Sequence, residues 1–174
     1  ELAEIDTKKK IENLKVEALE KLKRQAQLQL QYETTGSPCF EIIEKNISEP
    51  KGFNLIPKPS NVDLFFDLES VPEYVYPGKL EYLFGLYFVE NGKENYIPFW
   101  AHSKEEEKKS LKQFFKFTKD HFKKYPDARI YHYASYEITA LEKLTSYHKV
   151  HNIDYDHYLH LGKFVDLFRV TKQA

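Results

Sequence analysis

The chain contains the stretch Val62-Asp63-Leu64-Phe65-Phe66-Asp67-Leu68-Glu69-Ser70, an apolar run that ends in two acidic residues. A short apolar run that follows a proline-rich segment is typical of a strand buried on both faces of a sheet. Side chains two residues apart on a strand point the same way, so Asp67 and Glu69 project together. Adjacent carboxylates repel one another and lose solvation, and a divalent cation would remove that penalty. The stretch therefore predicts a metal site, although both acids could also simply end a strand at the surface.

Composition restricts the class of protein without identifying it. The chain has 174 residues, a net charge of -1, and 13 Tyr and 13 Phe, which fits one domain with an appendage. No apolar run is long enough to span a membrane and no secretory signal is visible. Cys39 is the single cysteine, which excludes an internal disulfide framework and a cysteine-built zinc site. We expect a cytoplasmic protein, and the absence of Met together with the start at Glu1 suggests a piece of a longer chain.

The N-terminal part predicts a long basic helix over residues 1–33, followed by a linker over residues 34–60. Apolar residues recur at roughly helical spacing until Gly36, and two proline-spaced segments then place a domain boundary near residue 60. The simplest interpretation is a solvated amphipathic helix. There are two alternatives: the helix could lie along a nucleic-acid backbone, or it could bind another protein.

The pattern after residue 60 predicts a mixed α/β sheet flanked by helices. A second strand ends at Glu90-Asn91-Gly92-Lys93, a strong hairpin signal, and residues 95–101 form the returning strand. Ser103 and Glu106 fit a capping box that opens a crossover helix, with Glu105, Glu106 and Glu107 expected on its solvated face. Residues 128–133 then form a strand parallel to a neighbour. The aromatic residues Tyr82, Tyr87, Tyr96 and Trp100 are expected to serve packing of the sheet.

Three further residues could take part in chemistry near the ends of strands. Glu137 lies in the first turn of a helix that follows the parallel strand, where an acid also favourably meets the helix dipole. His132 lies at the end of that strand, although a lone His is more often structural. Asp166 interrupts an apolar segment. It could take part in chemistry, or it could be a carboxylate that caps the end of a strand or helix. The sequence contains no Gly-rich phosphate loop, no serine elbow motif and no His spacing typical of zinc sites, which argues against those enzyme classes.

Several blocks of sequence, in order, resemble the YprB-type ribonuclease H-like domain, a branch of the DEDD 3′–5′ exonuclease superfamily found in predicted RecB-family nuclease and helicase proteins. The matching blocks are Leu64–Glu69, Leu80–Gly85, Phe99–His102, Tyr131–Glu137 and Phe164–Leu167. The resemblance implies a ribonuclease H-like nuclease domain over residues 61–174. It also implies that the domain continues beyond Ala174, where the last motif of the family would lie, so that the metal site of this piece is incomplete.

The resemblance also implies roles for individual residues. Asp67 and Glu69 match the first motif, whose acids bind Mg²⁺ or Mn²⁺, and Glu137 lies where the second motif normally has Asp. His132 and Asp166 would be supporting residues rather than standard ligands. The implied function is metal-dependent 3′–5′ hydrolysis of DNA or RNA in repair or processing, with helicase and other nuclease domains of the same chain as partners. The alternative is a non-catalytic scaffold or nucleic-acid-binding module within a larger helicase-nuclease.

Overall fold

The structure is a computed structural model that describes residues 2–7, 11, 13–42, 48–72, 78–150 and 153–173. The chain divides into two compact units, Glu1–Lys45 and Asn46–Ala174. The predicted helix, linker and nuclease domain each include some residues outside the described ranges, and the domain boundary near residue 60 stays a prediction. Among the described helices, none has the length and apolar character needed to cross a membrane.

The first unit contains the long N-terminal helix α1, Val16–Thr35. The helix begins at Val16 rather than at residue 1, because Asn13 has a φ of 62°, a left-handed conformation through which a helix cannot continue. A short 3₁₀ turn, Leu2–Glu4, lies upstream. The helix extends to Thr35, two residues past the predicted end at residue 33, and is capped by Gly36, whose φ is 67° and whose N–H donates to the carbonyl of Tyr32.

The second unit is a five-stranded mixed sheet flanked by helices, which confirms the predicted fold class. Its strands lie in the order β3-β2-β1-β4-β5; β1 is antiparallel to β2, β2 to β3, and β4 is parallel to both β1 and β5. The strands are β1 Leu64–Val71, β2 Leu80–Glu90, β3 Lys93–Trp100, β4 Ile130–His132 and β5 Phe164–Asp166. The helices are α2 Lys104–Lys124, α3 Tyr136–His148, α4 Ile153–His160 and α5 Leu167–Gln173, with a 3₁₀ turn at Gly52–Leu55.

Strand β1 is buried on one face only, so the prediction of a strand buried on both faces is wrong. Leu64, Phe66 and Leu68 are buried, whereas Phe65, Asp67 and Glu69 between them are exposed. The buried face packs against α2, where the rings of Phe66 and Phe114 have centroids 4.5 Å apart. We call the other side, which carries Phe65, Asp67 and Glu69, the open face of the sheet.

The predicted hairpin and capping box are both confirmed. Asn91 and Gly92 have φ of 54° and 75°, the pair of positive values that a two-residue turn needs between β2 and β3. The Ser103 hydroxyl accepts from the Glu106 N–H at 3.2 Å, and the Glu106 carboxylate accepts from the His102 N–H at 2.7 Å. These local signals therefore fix where β3 and α2 begin.

The prediction that Glu107 is solvated is wrong, because this residue is 0% exposed. Its carboxylate accepts from Lys104 Nζ at 2.9 Å, from His148 Nε2 at 2.6 Å and from the Glu81 N–H at 2.7 Å. The first turn of α2 faces the start of β2 and the end of α3, so the third acid of the run enters the protein. Glu107 thus ties three elements together.

His121 on α2 gives the folded state a pH dependence. It is 6% exposed, and its Nε2 donates to the carbonyl of Val62 at 2.8 Å. Burial lowers the pKa of His121 below its ordinary value of 6.5, partly offset by that hydrogen bond and by Glu90. Because the neutral form is favoured in the folded state, the stability it contributes is present above pH 6.5 and is lost as pH falls towards the lowered pKa.

We therefore expect the free energy of unfolding of His121→Gln to fall less steeply than that of the wild type as the pH drops below 6.5. In this range one buried neutral His accounts for a change of up to about 1.4 kcal/mol per pH unit. Urea unfolding of both chains at a series of pH values measures the difference. His157→Gln, an exposed position on α4, is the control and should follow the wild type. Parallel pH profiles for wild type and His121→Gln would contradict the assignment.

Candidate functional site

The acidic pair lies on the open face at the centre of the sheet. Asp67 is paired with Gly85 of β2 and Glu69 with Leu83, so each carboxylate stands next to a small or apolar neighbour. Both acids are exposed, and so are Pro98 and Trp100, the β3 residues that pair with Gly85 and Leu83. The structure therefore confirms that the two side chains share a face. They project from the half of β1 that leads into the loop towards β2.

An irregularity in β2 directs a further acid away from this face. The register shifts between Glu69 and Ser70, so that Ser70 is paired with Glu81 on the helix-covered side. Glu81 is 5% exposed, and Tyr136 Oη donates to its two carboxylate oxygens at 3.0 and 2.9 Å. Because Tyr136 is the first residue of α3, this contact fixes the first turn of that helix beside the end of β1.

Glu137 follows Tyr136 in the first turn of α3 and is buried. The left-handed φ of 67° at Ala134 turns the chain from β4 into α3, so that Glu137 lies close to His132 at the end of β4. Oε2 of Glu137 is buried and lacks a partner among the described residues. Burial raises the pKa of Glu137, and the charges of Asp67 and Asp166 raise it further, while its own N–H partly offsets them. An orphaned buried carboxylate oxygen is rare and needs an explanation, such as an absent cation.

His132 and Asp166 support the turn that carries Glu137. Nδ1 of His132 lies 2.8 Å from the Ala134 carbonyl, so this nitrogen donates, and it stands 3.6 Å from Glu137 Oε2. Burial lowers the pKa of His132, partly offset by the hydrogen bond to Ala134 and by the charge of Asp166. Oδ1 of Asp166 accepts from the N–H groups of Ala134 and Phe168, each at 2.9 Å. Asp166 therefore caps α5 and holds the turn, which corresponds to the capping interpretation.

A family model described as the RNase_H superfamily matches residues 64–174. This chain belongs to the RNase H superfamily. The match begins at β1 and includes all five strands and the residues Asp67, Glu69, Glu137 and Asp166. No curated protein and no solved structure matches the chain.

Membership in the RNase H superfamily points to nucleic-acid chemistry and to divalent metals, which nucleases of this superfamily generally use. Carboxylate oxygens are the ligands that Mg²⁺ and Mn²⁺ prefer, and the orphaned Glu137 oxygen within electrostatic reach of Asp67 fits such an ion. Within the described residues, however, no three His, Cys, Asp or Glu side chains stand close enough to hold a metal. The structure thus associates Asp67 with Glu137 but does not assemble a full ligand set, and the ligand roles stay predictions.

A cleft of about 550 Å³ opens directly over the acidic pair. Aromatic side chains and the two acids share its walls. The described residues that line it are Phe65, Phe66, Asp67, Glu69, Leu83, Gly85, Tyr87, Tyr96, Tyr131, His132, Tyr133 and Leu167. An RNase H superfamily domain therefore presents its acidic pair inside a cavity of ligand size.

The sequence interpretation missed the role of the edge strand β3. Tyr96 and Trp100 were expected to pack in the sheet, yet they are 57% and 52% exposed. Pro98 between them is a signal that could have revealed this, because proline within a sheet is confined to edge strands and bulges. Aromatic residues that alternate with an edge proline stand on the side that the helices leave open.

Proposed function

We propose that this chain is a divalent-metal-dependent 3′–5′ exonuclease domain that hydrolyses nucleic-acid phosphodiesters in DNA repair or processing. Asp67, Glu69 and Glu137 would hold Mg²⁺ or Mn²⁺. The 3′–5′ direction, the YprB-type assignment, a cytoplasmic location, and helicase and nuclease domains of a longer RecB-family chain as partners follow from the sequence resemblance described above.

The observation that carries the proposal is the buried carboxylate oxygen of Glu137, which has no hydrogen-bond partner among the described residues. Such an oxygen costs folding free energy, on the order of 1–3 kcal/mol, unless a ligand satisfies it. The charge of Asp67 raises the pKa of Glu137, and a bound divalent cation would offset this unfavourable interaction between the two carboxylates. Membership in the RNase H superfamily supports nucleic acid as the substrate.

The residues of the chain would supply the geometry of the reaction. When bound, divalent ions lower the pKa of water and stabilise charge on the leaving oxygen. Asp67 and Glu69, on the central strand β1, would hold these ions. The contact between Tyr136 and Glu81, and the turn held by Asp166, keep the first turn of α3 and thus Glu137 in place.

The second candidate function is a non-catalytic scaffold or nucleic-acid-binding module. It is favoured by the lack, within the described ranges, of any three-ligand group that could hold a metal. Glu137 in place of the Asp usual for the second motif points the same way. In this case Asp67 and Glu69 would remain solvated acids that bind no ion.

Calorimetric titration with MnCl₂, made on a chain that also carries the last motif implied by the resemblance, separates the two functions. We expect saturable binding by the wild type, and binding weakened by at least about 10-fold in both Glu69→Gln and Glu137→Gln, because each removes a charged oxygen ligand. Glu105→Gln is the matched control, since Glu105 is an exposed acid in the first turn of α2.

Equal binding by wild type and Glu137→Gln would contradict the proposed ligand set. No binding by the wild type would favour the scaffold or binding module. Circular dichroism of each variant confirms that any loss does not come from unfolding.

A further inference from the structure

An aromatic row crosses the open face beside the acidic pair; it consists of Tyr131, Phe65, Tyr87 and Tyr96 on four neighbouring strands. The register pairs Phe65 with Tyr131 and with Tyr87, and Tyr87 with Tyr96. The ring centroids of Phe65 lie 5.5 Å from those of Tyr131 and 6.1 Å from those of Tyr87. Asp67 follows Phe65 by two residues on the same face, so the row borders the acids directly.

The two members of the row with the largest free surface are Phe65 and Tyr96, which are 47% and 57% exposed. By contrast, Phe66 and Phe84 on the helix-covered face are 4% and 0% exposed. Tyr131 is buried and Tyr87 half-buried, so Phe65 and Tyr96 provide the exposed ring surface of the row. Burying aromatic rings is strongly favourable, so two such rings exposed on one face beside the acids indicate a surface for a ligand.

Gly85 allows the Tyr96 ring to lie next to Asp67. A Cβ at position 85 would stand 3.0 Å from Tyr96 Oη and 3.3 Å from Tyr96 Cε2, closer than side chains normally approach. Gly85 is the direct ladder partner of Asp67. The ring of Tyr96 therefore occupies the space of the missing side chain, one position across from the acid.

The walls of this cleft suit bases better than phosphates. None of its described lining residues is Lys or Arg, so electrostatic attraction to a phosphate backbone does not come from these walls. Every base has a π-face that stacks on aromatic side chains, and in single strands that face is accessible. A duplex keeps its bases stacked on each other and cannot offer them to a flat row without extruding one.

We propose that the aromatic row is a stacking surface for the bases of single-stranded nucleic acid, with Tyr96 and Phe65 as the contacting rings. The inference rests on the proposed function for the identity of the neighbouring site, where a phosphate would meet Asp67 and Glu69. It assigns the substrate class of that site as a single strand, bound through its bases next to the acids.

Fluorescence anisotropy of a labelled oligothymidylate, measured with the chain in Ca²⁺ and checked on gels for cleavage, tests the proposal. We expect Tyr96→Ala to weaken binding roughly 5- to 100-fold, the range for loss of one stacked base. Tyr96→Phe keeps the ring and should bind like the wild type. Gly85→Ala should also weaken binding, because its Cβ displaces the flexible end of Tyr96 without removing it.

Two controls isolate stacking from other effects. An abasic oligonucleotide of equal length keeps the phosphates, so any binding it shows should be unaffected by Tyr96→Ala. Tyr147→Ala removes a tyrosine of similar exposure, 59%, from α3 and should leave oligothymidylate binding unchanged.

Three results would overturn the proposal: no binding of oligothymidylate by the wild type, unchanged binding by Tyr96→Ala, or an equal loss with the abasic probe. Sedimentation that shows self-association dependent on Tyr96, without oligonucleotide binding, would assign the face to a second copy and also overturn it.

Failure of the proposed function would look different. Binding that depends on Tyr96, without metal-dependent cleavage, supports the stacking surface and contradicts the exonuclease. Metal-dependent cleavage with unaltered KM in Tyr96→Ala supports the exonuclease and overturns the stacking surface.

Discussion

Asp67→Asn, tested in a chain that also carries the last motif implied by the resemblance, is expected to abolish metal-dependent hydrolysis of single-stranded nucleic acid, with a fall in initial rate of about 10³-fold or more. Asn has the shape of Asp but lacks the charge needed to hold a divalent ion. Losing several kcal/mol of electrostatic stabilisation of the transition state corresponds to a 10³-fold or larger fall in rate. Rates are measured on a 5′-labelled strand with Mg²⁺ or Mn²⁺, and a product ladder that shortens from the 3′ end reports the direction.

The fold should survive this change. Asp67 is exposed, and its charge raises the pKa of Glu137, so removing the charge relieves a repulsion. The free energy of unfolding of Asp67→Asn should equal or slightly exceed that of the wild type. Asp120→Asn, the same chemical change at an exposed position of α2, is the control and should retain full activity. Equal rates for Asp67→Asn and wild type would exclude Asp67 from catalysis.

Glu107→Ala is expected to cost about 3–5 kcal/mol of unfolding free energy, the usual penalty for breaking a buried ion pair from one side. The change leaves Lys104, His148 and the Glu81 N–H without the carboxylate that now accepts from all three. Urea unfolding followed by circular dichroism measures the loss.

Glu105→Ala is the matched control, because Glu105 lies two residues away in the same turn and is exposed. Its effect should stay within about 0.5 kcal/mol, as for most surface substitutions. Glu107→Gln should fall between the two, since an amide keeps the size but loses the charge that Lys104 needs. Similar losses for Glu105→Ala and Glu107→Ala would mean that the buried contacts contribute little.

Local signals explain why much of the fold could be predicted. The turn at Asn91 and Gly92 depends on the conformations of those two residues, and the start of α2 depends on Ser103 and Glu106. In each case the residues that determine the structure are neighbours in sequence. The parallel direction of β4 beside β1 followed from similar reasoning, since a crossover helix leads into a parallel strand.

Burial could not be predicted in the same way. Glu105, Glu106 and Glu107 are chemically identical, and only the third meets His148, which lies 41 residues further along the chain. The faces of β1 differ for the same reason: α2 covers Phe66, while Phe65 remains exposed next to the acids.

The alternation of side chains along a strand was enough to predict that Asp67 and Glu69 share one side of β1. Local signals also predicted where the β2–β3 hairpin turns and where α2 begins, but not where α1 begins. Three features came from tertiary packing: the open side of β1, the buried Glu137 oxygen that has no partner among the described residues, and the Tyr96 ring that lies over Gly85, the ladder partner of Asp67. Those features depend on contacts between residues far apart in sequence, and such contacts form only when the sheet and its helices pack.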